Sequence, residues 1–253
     1  MLGCATFDPA TAAPGMKITL FVPCFVDSFA PRVAQSMVQV FERLGHEVHF
    51  AEGAVCCGQP PFNAGYWDEA RAIARRTIAE LAGAEAVVVG SGSCATMLKR
   101  FYPRLFEGTN EDEAARELAS RSFEFAEFLV NELGVSDCGA RFPAKVTVHD
   151  GCHALRELGL KRPMRELLGR VKDLTLVEMT EAETCCGFGG SFSVKFSSIS
   201  RAMGTQKLAS ARETGVDYVV SCDTSCLLHL KSLVTRDEVA PGTVHLAEVL
   251  ASQ

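Results

Sequence analysis

The sequence predicts an α/β protein made of two pseudo-symmetric halves, each a mainly parallel sheet covered by helices. Three observations lead there. Short apolar runs alternate with amphipathic helical stretches, the pattern of parallel sheets with helices on both faces. The text repeats: Lys17-Ile-Thr-Leu-Phe-Val-Pro-Cys24 answers Lys145-Val-Thr-Val-His-Asp-Gly-Cys152, and Val87-Val-Val-Gly-Ser-Gly-Ser-Cys94 answers Val219-Val-Ser-Cys-Asp-Thr-Ser-Cys226. Finally, Cys24, Cys56-Cys57-Gly58 and Cys94 are matched by Cys152, Cys185-Cys186-Gly187 and Cys226. From single cysteine to pair, 31 residues intervene in one half and 32 in the other; from pair to last cysteine, 36 and 39. Such a repeat is a duplication that kept its thiols. The halves are therefore expected to be Rossmann-like.

Each element follows in order. Ile18–Val22 reads as a strand ending at Pro23-Cys24. A helix follows, with Pro31 in its first turn, Val33, Met37, Val40, Phe41 and Leu44 on one face, and Gly45 as its stop. Val48–Ala51 is a weak second strand before the cysteine pair. Trp67–Leu81 is helical, with Ala70, Ile73, Ala74, Ile78 and Leu81 in one stripe. Ala86–Val89 is a buried strand leading to Cys94. Acidic Glu111–Glu113 suits a helix start, and the pattern predicts one long helix to Leu133, stopped by Gly134. The second half restarts at Lys145, with strands at Val146–His149, Leu174–Val177 and Tyr218–Ser221. A helix within Ser197–Glu213 ends at Gly215. The closing Val244-His-Leu-Ala-Glu-Val-Leu-Ala echoes Phe125-Ala-Glu-Phe-Leu-Val. A boundary near Gly139–Ala144 divides the chain into a disordered leader, 1–16, and two cysteine-rich domains, 17–142 and 143–253. Ligands of such folds sit beyond the carboxyl ends of the strands, where Cys24, Cys94, Cys152 and Cys226 fall.

Composition narrows the function classes. A chain of 253 residues buries a core without staples. A net charge of −6 lacks the basic face that nucleic acid requires. No apolar run approaches membrane-span length. The first sixteen residues hold Asp8 and no basic stretch, so they do not read as a secretory signal, and Met16 is an alternative start. Eleven cysteines, an odd number, are then expected to stay reduced, with the cytoplasm as the expected location.

Thiolates are soft ligands that select iron–sulfur clusters, zinc or copper(I). Structural zinc favours close Cys-x-x-Cys pairs, and neither half has that spacing. Adjacent cysteines project differently from the backbone, so each pair suits a multi-iron cluster. Gly58 and Gly187 permit a sharp turn behind the pair. Gly187-Phe-Gly-Gly190 exposes amides that can hydrogen-bond cluster sulfurs. Spacing alone favours iron–sulfur and leaves zinc, redox thiols and buried structural cysteines open.

Four stretches carry a resemblance: Cys56-Cys-Gly-Gln-Pro-Pro-Phe-Asn-Ala-Gly65, Ser91-Gly-Ser-Cys94, His149-Asp-Gly-Cys-His153 and Cys185-Cys-Gly-Phe-Gly-Gly-Ser-Phe-Ser-Val-Lys195. From Lys17 onward the chain resembles the CCG (cysteine-rich) iron–sulfur family, nearest its lactate-utilisation protein A branch. More distantly it is similar to heterodisulfide reductase B and to the cysteine-rich parts of glycolate oxidase and anaerobic glycerol-3-phosphate dehydrogenase. The resemblance implies two clusters of 4Fe–4S type, one per half, held by Cys24, Cys56, Cys57 and Cys94 and by Cys152, Cys185, Cys186 and Cys226. The broader family closes each motif with Cys-x-x-Cys. Here Ser91 and Asp223 stand at those positions, with Cys222 one place away as an extra candidate ligand. The missing fifth thiol favours four-thiol electron-transfer clusters over the noncubane type, which is not excluded.

His149 and His153 flank Cys152 as candidates for cluster hydrogen bonds, proton relay or ligand replacement; equally, each reads as a packed core residue. Lys195 reads first as an exposed lysine, with pairing to a cluster or anionic substrate as the alternative. Cys4 and Cys138 read as spectators. No G-x-G-x-x-G is present, so no nicotinamide site is expected. By resemblance, the chain is expected to be an electron-transfer subunit of an L-lactate-oxidising (lactate dehydrogenase) complex, with a ferredoxin-type iron–sulfur subunit and a third subunit as partners. The alternatives are a catalytic protein like heterodisulfide reductase B, acting on a thiol, disulfide or quinone, and a zinc-binding scaffold.

Overall fold

The computed structural model describes residues 15–54, 56–234 and 240–253. Cys4 and most of the expected leader lie outside the described residues. The first half holds strands β1 (Lys17–Phe21), β2 (Glu47–Phe50), β3 (Ala86–Val89) and β4 (Ser122–Glu124) in the order β2-β1-β3-β4. The second holds β5 (Lys145–Val148), β6 (Thr175–Leu176), β7 (Tyr218–Ser221) and β8 (Gly242–His245) in the order β6-β5-β7-β8. Every strand pair is parallel, and the two orders superpose when β1 is matched to β5. The α/β class and the two Rossmann-like halves are thus as expected.

Local sequence explains the elements. Central β3 is Ala-Val-Val-Val and is buried throughout, as a strand covered on both faces requires. Edge strand β2 is mostly exposed. In the helix Pro31–Arg43, Pro31 occupies the first turn while Val33, Met37, Val40 and Phe41 face inward. Gly45, at φ +84, ends that segment.

The sheets share one core. Ile18, Leu20, Phe41 and Val88 of the first half belong to the same apolar cluster as Val146, Val148, Val220 and Leu246 of the second. The C-terminal helix Leu246–Ala251 packs on Pro31–Arg43. There the Arg43 guanidinium donates to the carbonyls of Cys138, Leu250 and Ala251 at 2.8, 3.0 and 2.7 Å. One charged fork satisfies the open end of a helix and the inter-half connection together.

The single long helix expected from Glu111 to Leu133 does not form. A helix Asp112–Ser120 ends, β4 pairs with β3, and a new helix starts at Phe125. The cause is local. Glu124 Oε2 accepts from the N–H groups of Ala126 and Glu127, while Glu127 reaches back to the Glu124 N–H. This capping box starts a helix and so forces a break before it. His245 and Glu248 form the matching box after β8. The echo between Phe125–Val130 and Val244–Ala251 marks these two strand-to-helix junctions: β4 is only three residues long, and β8, Gly-Thr-Val-His, has a single aliphatic residue to signal it.

Candidate metal centre

In each half the strand order reverses beside the first strand, and the crevice beyond the strand ends at that point is where such folds bind ligands. Cys24 opens the helix Cys24–Phe29 directly after β1, and Cys152 opens Cys152–Leu158 after β5. Cys94 and Cys226 lie in the first turns of the helices that follow β3 and β7. The helix carrying Cys94, Gly92–Thr96, continues through a π-helical turn, Met97–Phe101. Side chains from behind hold the first cysteine pair: the Thr77 hydroxyl donates to the Cys56 carbonyl at 3.0 Å, and the Tyr102 hydroxyl to the Cys57 carbonyl at 3.0 Å.

The glycine after each pair is required sterically. Gly58 has φ +80, and a Cβ there would lie 3.3 Å from the Ala70 carbonyl oxygen. Gly187 has φ +91, and a Cβ would lie 2.4 Å from the Ser200 carbonyl oxygen, closer than any side chain tolerates. The turns aim backbone donors at sulfur. Gly58 N–H lies 3.4 Å from Cys56 Sγ, Gly187 N–H 3.3 Å from Cys185 Sγ, and Phe188 N–H 3.5 Å from Cys186 Sγ.

The eight cysteines form two linked sets. In the first, Cys24, Cys57 and Gly58 all donate to Cys56, and Cys57 Sγ lies 3.2 Å from Cys94 Sγ. Those hydrogen bonds, that from Cys24 foremost, hold the Cys56 thiol far below the ordinary range. The same bond, then burial, pushes Cys24 up. The second set repeats this. Cys185 is held down by Cys152, Cys186 and the Gly187 amide, while the bond to Cys185 and then burial push Cys152 up. Each set behaves as a cluster of thiols arranged around one easily formed thiolate. Both open onto a single cavity of about 100 Å³, which all eight cysteines line with Ser91, Ser93, His153, Asp223, Phe25 and Phe188.

The other candidates separate. His149 is fully buried at the end of β5, both ring nitrogens without a hydrogen-bond partner. Its ring and the sulfurs of Cys186 and Cys226 offer ligand atoms within 4.8 Å of one another. Burial, then the positive Lys207, lowers its pKa to about 3, so the ring is neutral. His153 lines the cavity, with Nδ1 4.0 Å from Cys152 Sγ and its ring edge-on to Phe101. Cys222 is absent from the cavity wall and packs in the core between the halves, where a Cβ on Gly92 would lie 3.2 Å from its sulfur. Cys138 is buried at the Arg43 junction, its thiol raised to about 12 by burial. Lys195 is exposed.

Two features escaped sequence reasoning. Ser91 and Asp223 meet across the halves, the Ser91 hydroxyl donating to Asp223 Oδ1 at 3.4 Å and the Ser93 N–H to Oδ2 at 2.9 Å. The signal was present, since both replace thiols at matching positions, but a contact across 132 residues has no local signature. Lys207 is buried and donates to the carbonyls of Glu181 and Ala182, just before the second pair. Burial lowers its pKa to about 8, against the raising effect of Cys186. A lysine in a helix is ordinarily exposed, so nothing in the sequence marked it.

Fold and site together define a duplicated α/β protein with a four-cysteine constellation at the ligand crevice of each half. The chain belongs to the CCG cysteine-rich domain family, which it matches over residues 18–99 and 146–231. It is 42% identical over 239 residues to "Lactate utilization protein A 1" of Bacillus cereus (strain AH820), covering 94% of this chain and 100% of that protein. The same figures hold for "Lactate utilization protein A" of Bacillus thuringiensis (strain Al Hakam). Among solved structures, a hypothetical protein from Helicobacter pylori has the same fold, with a TM-score of 0.57 at 11% identity, over 94% of this chain and 49% of that one. No helix among the described residues is long and apolar enough to cross a membrane.

Proposed function

We propose that this chain is an iron–sulfur electron-transfer protein of L-lactate utilisation, a subunit of a complex that oxidises lactate to pyruvate. Its two units, 17–142 and 143–253, each hold one cluster, through Cys24, Cys56, Cys57 and Cys94 and through Cys152, Cys185, Cys186 and Cys226. The observation that carries the reading is the pair of matched four-thiol sets lining one cavity. The lactate assignment rests on relatives named for lactate utilization over their full length.

The residues present fit such a group. Each set offers four thiols linked one to the next, with one member acidified by its neighbours to begin ligation. Clusters of 4Fe–4S type would supply one-electron redox chemistry. The chain holds them with thiolates, directs the Gly58, Gly187 and Phe188 amides at sulfur, and covers them with Phe25 and Phe188. The complex acts in the cytoplasm, with a ferredoxin-type iron–sulfur subunit and a third subunit as partners. A second reading, a catalytic protein reducing a thiol, disulfide or quinone, draws on the shared opening of both sets. Ser91 and Asp223, at the fifth-thiol positions, favour the first.

Purified alone, the chain should not oxidise lactate with an artificial acceptor, and its partners should restore turnover. Deleting the gene should abolish growth on L-lactate and spare growth on glucose. Lactate oxidation by the isolated chain would overturn the relay assignment.

A further inference from the structure

The two constellations are matched in thiols and unmatched in what stands behind them. In the repeat, Lys17–Cys24 aligns with Lys145–Cys152, which sets Phe21 against His149. The structure keeps that equivalence. Phe21 is buried in the apolar cluster that includes Cys57 and Cys94, and His149 is buried beside Cys186 and Cys226, the counterparts of those two cysteines. A phenyl ring thus backs the first set where an imidazole backs the second. The backbone of His149 is satisfied by Val220 and Ser221, yet neither ring nitrogen has a partner. A fully buried imidazole with no partner is costly, and proteins keep such groups where a ligand satisfies them. Lys207 adds to the asymmetry by placing a buried amine behind the second pair, where the hydroxyl of Thr77 stands behind the first.

The geometry points to His149 as a hydrogen-bond donor to a cysteine sulfur of the second centre, holding that centre at a higher reduction potential than the first. The inference rests on the iron–sulfur reading above. Four thiols already complete the second set, so the imidazole is free to donate rather than ligate. Donors to cluster sulfurs stabilise the more negative, reduced state, and Phe21 offers none. A single electron shared between the centres would then reside on the second. His149 is in this sense a positioning and tuning residue.

The test is an anaerobic redox titration followed by electron paramagnetic resonance on reconstituted protein. C57S protein, which isolates the second centre, and C186S protein, which isolates the first, assign the two midpoints. Two separated midpoints are expected, the second centre higher. H149F should lower only that midpoint, H149Q should retain most of the separation because its amide still donates, and F21H should raise the first. Unchanged midpoints in iron-loaded H149F would overturn the inference. So would loss of second-set iron in both H149F and H149Q, which would make His149 a ligand or a folding residue. Wild-type protein that takes up zinc and no iron would defeat the iron–sulfur reading itself, a distinguishable failure.

Discussion

Ser91 and Asp223 occupy the same place in the two halves, and they touch. The Ser91 hydroxyl donates to Asp223 Oδ1 at 3.4 Å, and the same carboxylate accepts from the Ser93 N–H and the Ser225 hydroxyl at 2.9 and 2.8 Å. Both residues are buried at the cavity wall. Where the broader family pattern has a fifth thiol in each half, this chain has a polar clamp between halves. Asp223→Ala should therefore destabilise the protein by about 2 kcal/mol, because it strands the buried Ser91 hydroxyl and the half-buried Ser93 N–H and Ser225 hydroxyl together. Denaturant unfolding of the metal-free protein measures this; a change near zero would mean that the clamp carries no stability.

The glycines behind the cysteine pairs should differ in tolerance. Gly187→Ala places a Cβ 2.4 Å from the Ser200 carbonyl oxygen, whereas Gly58→Ala places one 3.3 Å from that of Ala70. Both impose a left-handed alanine, costing about 1–2 kcal/mol, but only the first also requires the backbone to move. Iron per chain after anaerobic reconstitution should fall sharply for G187A and modestly for G58A. Equal losses would show that φ alone decides.

Serine scanning separates ligands from structural thiols. C57S and C186S should each lower iron in one half only, since a hydroxyl is a hard, poor substitute for thiolate. C138S should leave iron unchanged. C222S should keep its iron as well but lose stability by about 1–3 kcal/mol, because a hydroxyl replaces a thiol in an apolar site. Loss of iron in C222S would make that residue a ligand despite its position in the core.

Glu124 sets a pH dependence for the metal-free protein. Burial raises its pKa to about 8 from 4.5, so the folded state keeps a proton that the unfolded state releases. The unfolded state then binds fewer protons at this group, and the contribution of Glu124 to stability falls as pH rises between those values. His245 acts oppositely below pH 6.5, since burial lowers it to about 4 and acid favours unfolding there. Between pH 6.5 and 8 the Glu124 effect stands alone of the two. Cys56 and Cys185, held low in the folded state, add a rising contribution over the same range, so the test is a difference. Glu124→Gln should make the slope of stability against pH more positive in that window, and an unaltered slope by chemical denaturation would contradict the assignment.

Much of this molecule was legible because its signals are local. Pro31, the stripe Val33-Met37-Val40-Phe41 and Gly45 delimit one helix, and four consecutive buried apolar residues mark β3. The eight site cysteines announced themselves through repetition. What stayed hidden depends on contacts distant in sequence. The β4 strand Ser122–Glu124 is three residues long and forms because β3 lies alongside it, while the capping box of Glu124 then starts the next helix. Ser91 and Asp223 were visible as departures from a pattern, but only folding shows that they bond to each other. Likewise the spacing assigns four thiols to each half, and only the fold makes both sets open onto one cavity.

The central claim is that one chain carries two iron–sulfur centres, and metal analysis of protein purified without oxygen tests it most directly. Iron, acid-labile sulfide and zinc should be quantified together with an electron paramagnetic resonance spectrum of the reduced protein. Two loaded four-thiol sets predict brown protein with roughly 8 iron and 8 sulfide per chain and a signal from interacting clusters. Colourless protein binding zinc stoichiometrically, with no sulfide, would contradict it.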